Sequence, residues 1–285
     1  MLYLVLAILS SAAMAIVLKC FREQKGNRYG ILLGNYLTCV VISVIMLPDK
    51  GLILSGNWIT LICGIGGGIF FVLALVCMQS SIRVNGAGLS SAFARLGLIV
   101  ALGLSILLFR EQPTAMQFVG IGLAMAAIVV LRSDGTKQQR RRGGFGLLLL
   151  TLCASGCADA MAKVFESYGS KAQDSLYFFW LFITAILLCG ALALVEKKKT
   201  GKGFRPGEFA AGVLVGIPNY FSSYLLLRSL QELRATVVYP TYSTATILLV
   251  MGLSALFFRE RLTKRQWPGI LLILAAIVLL NIRIS

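Results

Sequence analysis

Histidine is absent from this chain and acids are scarce: 11 Asp and Glu stand against 27 Lys and Arg, a net charge of +16. The missing imidazole removes the commonest general base and metal ligand. Charged residues make up 13% of the 285 positions and hydrophobic ones 58%, with a mean hydropathy of +0.86. So little polar surface cannot cover a soluble domain of this length. A nucleic-acid-binding surface is also disfavoured, because Lys and Arg sit in short connections between apolar stretches, the pattern of loops held on one side of a membrane. Cysteine chemistry is thin. The seven thiols (Cys20, Cys39, Cys63, Cys77, Cys153, Cys157 and Cys189) form no C-x-x-C pair. Cys153 and Cys157 share a helical face, but two thiols without His or carboxylate support make a poor metal site. All seven read as small core residues, and no metal or cofactor is expected.

What the chain does contain is long apolar runs. A bilayer core requires about 20 such residues per helix, and ten stretches qualify: residues 2–20, 29–47, 58–78, 86–108, 116–131, 145–165, 176–195, 209–227, 235–258 and 266–284. Together they leave no room for a soluble catalytic domain. Residues 2–15 look like a signal h-region ending in Ala13-Met14-Ala15, but no positive segment precedes them and nothing soluble follows. A first transmembrane helix is the better reading. The expected fold is an all-α polytopic membrane protein of ten transmembrane helices.

Orientation follows from the basic residues. The connections after helices 1, 3, 5, 7 and 9 hold 19 Lys and Arg, counting Lys19 with the first, whereas the other connections and the C-terminal tail hold 6. The positive-inside rule then places the odd connections in the cytoplasm and both termini outside. The basic stretch 132–143 reads as a cytoplasmic linker between two halves, 1–131 and 144–285.

Those halves repeat. Residues 103–131 align without a gap on residues 252–280, with 17 of 29 positions identical. Apolar composition alone does not place Phe109-Arg110-Glu111, Thr114 and Gln117 at the offsets of Phe258-Arg259-Glu260, Thr263 and Gln266. Thr114-x-x-Gln117 and Thr263-x-x-Gln266 read as capping boxes, satisfying free N–H groups where a helix enters the bilayer. Lys19 with Phe21 echoes Lys163 with Phe165. Five helices per half is an odd number, so consecutive halves enter the membrane in opposite directions. Five-helix inverted repeats are a transporter architecture, with substrate near the midplane between them.

The ten spans, the five-helix duplication and the endings Leu108-Phe109-Arg110-Glu111 and Phe257-Phe258-Arg259-Glu260-Arg261-Leu262 make the chain resemble the drug/metabolite transporter superfamily, in its branch with two EamA-type domains. The resemblance spans essentially the whole chain. It implies the inverted-repeat fold, a small-molecule substrate and efflux rather than uptake. Three departures stand out. Arg110 and Arg259 occupy positions where the family usually has Gly, and Ala94-Arg95-Leu96-Gly97 lies where members often carry Pro. Members are usually described with both termini cytoplasmic, opposite to the loop count.

Ionisable groups inside a span cost about 2.5–3.5 kcal/mol on insertion scales, so each is a functional candidate by default. Lys19 and Lys163 lie near helix ends, where snorkelling accounts for them, with a role in the cavity as the alternative for Lys163. Arg95 falls about 13 Å into the fourth helix, near the midplane among small residues. It either bonds backbone carbonyls of a neighbouring helix or meets substrate. Asp159 is the one acid well inside a span. Lys163, four residues on, offers it an i,i+4 ion pair, and the alternative role is a proton-coupling carboxylate. In the eighth helix Pro218 frees a backbone carbonyl beside Asn219, Tyr220 and Tyr224. Tyr239 and Tyr242 flank Pro240 in the ninth. Asn219 and these four tyrosines are candidate substrate contacts. The glycines of Gly64-x-x-x-Gly68 suit close helix packing.

The expected function is secondary transport of a small polar or amphipathic metabolite across the cell membrane by alternating access. No P-loop pattern is present to suggest direct ATP drive. A lipid-carrier translocator or accessory membrane subunit of the same fold is the alternative. An intramembrane enzyme comes third, because one Asp without His supplies no acid–base pair. Fusion of two halves lets a monomer build the pathway, with membrane lipid as its surroundings.

Overall fold

The structure is a computed structural model and describes residues 1–20, 29–51, 53, 56–85, 90, 93–94, 96–132, 144–201, 203, 205–258 and 266–281. Among these residues it is all-α, with ten helices: α1 (Leu2–Cys20), α2 (Gly30–Ile45), α3 (Trp58–Asn85), α4 (Leu98–Leu107), α5 (Ala115–Arg132), α6 (Gly144–Tyr168), α7 (Asp174–Thr200), α8 (Pro206–Glu232), α9 (Ala235–Phe258) and α10 (Gln266–Asn281). A short 3₁₀ turn, Lys171–Gln173, leads into α7. By length and composition five helices can cross a membrane, within α3, α6, α7, α8 and α9, and the other five apolar helices are shorter.

Several helices outrun their apolar runs. α3 continues to Asn85, α7 to Thr200 and α8 to Glu232. Hydropathy falls at these ends but helix propensity does not, since Gln, Arg, Glu and Lys are good helix formers. α7 stops only at Gly201, whose φ of +68° is the left-handed conformation that glycine adopts without cost. The predicted capping box at Thr114 is present. The Gln117 N–H donates to Thr114 Oγ1 at 3.3 Å, and the Thr114 N–H donates to Gln117 Oε1 at 3.1 Å. Thr263 and its box lie outside the described residues.

The chain divides into two compact units. One comprises Met1, Leu73–Lys163 and Ser229–Ser285; the other comprises Leu2–Val72 and Val164–Arg228. Each unit therefore draws on both sides of the basic linker, and the boundaries fall inside α3, α6 and α8.

In the second unit α2 packs along α7. α2 also meets α8 so closely that a Cβ on Gly212 would strike the carbonyl of Ile31. The Gly64-x-x-x-Gly68 pair works as its spacing suggests: it lets α3 approach the Tyr177–Thr184 segment of α7, where a Cβ on Gly64 would come within 2.6 Å of Trp180 Cβ. Aromatic rings fill the space that remains. Tyr36, Phe178, Phe182 and Tyr220 are all buried and joined by ring contacts, Phe182 stacking on both Tyr36 and Phe178 and Tyr220 meeting Phe178 edge-on. In the first unit α5 and α10 pack along their lengths, and α9 touches α4, α5 and α10.

Close packing sets a prediction. Gly212→Val should lower stability by about 1–3 kcal/mol through overpacking, read as thermal unfolding in detergent. Gly122→Ala on α5, where a Cβ would meet nothing within 4 Å, should instead raise it by about 0.5–1 kcal/mol through helix propensity.

Candidate functional site

A polar cluster in the first unit grows from the turn that ends α4. Leu108 N–H and Phe109 N–H both return to the carbonyl of Leu104, and Glu111 N–H reaches Ser105 O at 3.1 Å. Between them Arg110 takes φ +52°. A left-handed conformation costs a non-glycine residue roughly 1–2 kcal/mol, a conformation that glycine would adopt without that cost. The turn aims the Glu111 carboxylate at the start of α9. There it accepts the backbone N–H of Ala235 at Oε1 and of Thr236 at Oε2, both at 3.2 Å. A carboxylate at a helix N-terminus satisfies two of the four orphan donors and meets the positive end of the helix dipole. Arg234 seals the same junction by donating to Gln112 O at 3.1 Å.

Lys163 on α6 completes the cluster. Its Nζ lies 3.0 Å from Glu111 Oε1, with side-chain exposures of 7% and 11%, and 5.4 Å from the centroid of Phe109. This corrects the snorkelling expected from its place near a helix end, because the ammonium turns inward to the nearly buried carboxylate in the turn after α4. Glu111 was legible only as part of a repeated ending. Nothing local in the sequence names Lys163 or the α9 N-terminus as its partners.

Asp159, one turn before Lys163, is half-buried. Its backbone carbonyl accepts the hydroxyl of Tyr239 at 2.8 Å, so α6 and α9 are pinned at two levels. Tyr242 is half-buried on α9. Pro240 sits inside that helix, where it removes the N–H that would bond the carbonyl of Thr236. Thr244 Oγ1 donates to the carbonyl of Pro240 at 2.6 Å. The buried hydroxyls of Thr236, Thr241 and Thr246 on α9, and of Ser105 on α4, have no hydrogen-bond partner. Such groups cost about 1–3 kcal/mol each when left desolvated. Sequence reasoning singled out Tyr239 and Tyr242 around Pro240 and none of these four hydroxyls, since threonine and serine are common in membrane helices.

The remaining expected contacts lie in the second unit. Asn219 is buried, and its amide donates to Asn35 Oδ1 on α2 at 3.1 Å, with Cys39 Sγ at 3.7 Å. That donor joins two helices. Tyr220 is fully buried and stacked on Tyr224, ring centroids 6.0 Å apart and 11° between planes. The Tyr224 hydroxyl accepts from Arg228 Nη2 at 2.8 Å, and Arg228 Nε lies 3.1 Å from Asp174 Oδ2. Asp174 opens α7, so its carboxylate too meets a helix N-terminus. Arg95 and the side chain of Lys19 lie outside the described residues. The structure thus joins Asp159 with Tyr239 in one unit, and Asn219, Tyr220 and Tyr224 with their helix partners in the other.

Comparison with known proteins adds identity to this geometry. The sequence profile described as the EamA-like transporter family matches residues 1–133 and 142–282. An uncharacterised protein of Haemophilus influenzae is 24% identical over 287 residues, covering 96% of this chain and 95% of its own length. The multidrug resistance protein EbrA of Bacillus subtilis is 30% identical over 102 residues, which is 36% of this chain and 94% of EbrA. The corresponding protein of Bacillus licheniformis is 28% identical over 103 residues, 36% of this chain and 95% of its own. A crystal structure of another protein superposes with a TM-score of 0.79 at 15% identity, over 98% of this chain and 95% of that one. This last likeness establishes a shared fold.

Three variants test the cluster. Glu111→Ala should cost about 3–5 kcal/mol, because it strands a buried ammonium. Glu111→Leu combined with Lys163→Met should recover part of that loss in thermal unfolding, the remainder being the cap of about 0.5–2 kcal/mol that Leu cannot supply. Arg110→Gly should raise stability by about 1 kcal/mol by relieving the left-handed residue.

Proposed function

This chain belongs to the EamA-like transporter family, a multi-pass membrane family of drug and metabolite carriers, and from that membership we propose that it is a secondary exporter working by alternating access. The supporting observation is the double match of the family profile, once on each side of the basic linker. Two five-helix copies in series enter the membrane in opposite senses, and such a pair offers two related conformations of one pathway. The pathway then needs ten spans, a cell-membrane location and a site near mid-membrane. EbrA, named for multidrug resistance, supports the outward direction. The loop charge bias supports termini on the outer side.

The substrate on this reading is a small polar or amphipathic metabolite. The orphaned hydroxyls of Thr241 and Thr246 are buried in the hydroxyl-rich first half of α9, where a polar solute would satisfy them. Tyr239 and Tyr242 share that helix, and Arg95, Asn219, Tyr220 and Tyr224 are further contacts. Asp159 is the proton-coupling group. The hydroxyl bond from Tyr239 to its backbone makes the carboxylate's helix move with the aromatic segment of α9.

The reading is tested in two steps. A thermal-shift screen of the purified protein uses amino acids, organic cations, nucleosides and phosphorylated metabolites. A ligand at a hundredfold excess over its dissociation constant should stabilise the fold by about 2.7 kcal/mol. Cation stabilisation lost in Asp159→Asn would place the site on α6, and anion stabilisation lost in Arg95→Ala would place it on the fourth helix. Thr241→Val and Thr246→Val should each gain about 1 kcal/mol of stability while weakening the ligand shift. In proteoliposomes, Asp159→Asn should abolish flux driven by a pH gradient and spare exchange down a substrate gradient. Undiminished pH-driven flux in that variant excludes Asp159 as the coupling group.

A further inference from the structure

α7 carries two surfaces. One is turned into its unit and includes Ala185, Cys189 and Ala193, all fully buried. The other is bare: Leu187 is 68% exposed, Leu194 57% and Val195 48%, with Ala191 exposed between them. Positions 187, 191, 194 and 195 follow helical spacing along one stripe, the face an apolar helix offers to acyl chains. Helical spacing continues the same stripe to Lys198 and Lys199, one turn beyond Leu194 and Val195, and both lysines are exposed. The helix does not break between them, and Gly201 ends it just after.

α7 has 27 residues, about 40 Å at 1.5 Å per residue, longer than the roughly 30 Å hydrocarbon core. Its C-terminal turn therefore extends into a headgroup layer. Lys198 stands about 16 Å along the axis from Leu187, a distance that a phospholipid's upper acyl chain and headgroup can span together. Lys197 and Arg205 are exposed beside this turn and add positive charge. Negative charge at a helix C-terminus also favours the lysines in place, but that effect explains their sign and not their continuity with the lipid-facing stripe.

We propose that this face of α7 is a docking surface for an anionic phospholipid, with acyl chains along Leu187, Leu194 and Val195 and the phosphate held by Lys198 and Lys199. This stands independently of the substrate and of the direction of transport. Each lysine near a charged headgroup layer contributes about a fivefold preference for the anionic lipid.

The test measures association of phosphatidylglycerol and of phosphatidylcholine with the purified full-length protein in mixed micelles, by native mass spectrometry. Wild type should prefer phosphatidylglycerol. Lys198→Gln with Lys199→Gln should reduce that preference by about 25-fold, and Lys198→Arg with Lys199→Arg should retain it. Leu194→Ser should weaken both lipids, which separates a seated lipid from loose charge attraction. Equal binding of the two lipids by wild type would overturn the proposal. So would a preference unaltered by the double Gln variant, or displacement of the lipid by glycerol phosphate at equal concentration, which would make the lysines a free-phosphate site.

Discussion

Hydrocarbon gives a peptide N–H or carbonyl nothing to bond, and an unmet backbone group there costs several kcal/mol. Within a helix the problem solves itself; at a helix end it does not. The described structure shows two answers at helix starts. Thr114 and Gln117 close a reciprocal box on the first turn of α5. Glu111 comes from a different part of the chain to bond the first two amides of α9. The second is the more consequential, because it commits an ionised side chain to a nearly dry position.

That commitment draws in the surrounding residues. A lone buried carboxylate would be prohibitive, so Lys163 neutralises it from α6. The ammonium in turn rests against the Phe109 ring, and Arg110 accepts a left-handed backbone to deliver Glu111. An isolated buried pair adds little net stability. Its value here is geometric: α4, α6 and α9 meet at one point, and α9 begins in a fixed register. Three residues along, that register brings Tyr239 to the carbonyl of Asp159. A transporter needs such fixed points, since a polar segment in an apolar helix has few other reasons to stay where it is.

Ten helices were legible because apolar runs and helical propensity agree over most of each span; they parted at α3, α7 and α8, where propensity outlasts hydropathy. The box at Thr114 was legible because both partners lie within four residues. The Glu111 cluster was not: its members are 52 and about 124 positions apart in sequence, and spacing rules do not reach that far. Lys163 misled for a related reason. Position near a helix end predicts an outward ammonium only when no buried acid waits inside. The Asn219 amide, a candidate substrate contact by sequence, also joins α2 and α8, a use that becomes visible only once the Gly34–Gly212 crossing is known.

The two compact units interleave the chain. One is completed by residues 164–228 and the other by residues 229–285. A chain that emerges from its N-terminus therefore inserts α1, α2 and most of α3 well before the partners that bury them exist. Until α7 and α8 arrive, Tyr36 and the glycine face of α3 must be sheltered by lipid or by the insertion machinery. Biogenesis, more than the finished fold, is then the stage at which this sequence is most exposed to error, and a change at Gly64 or Tyr36 would act first on the yield of inserted protein.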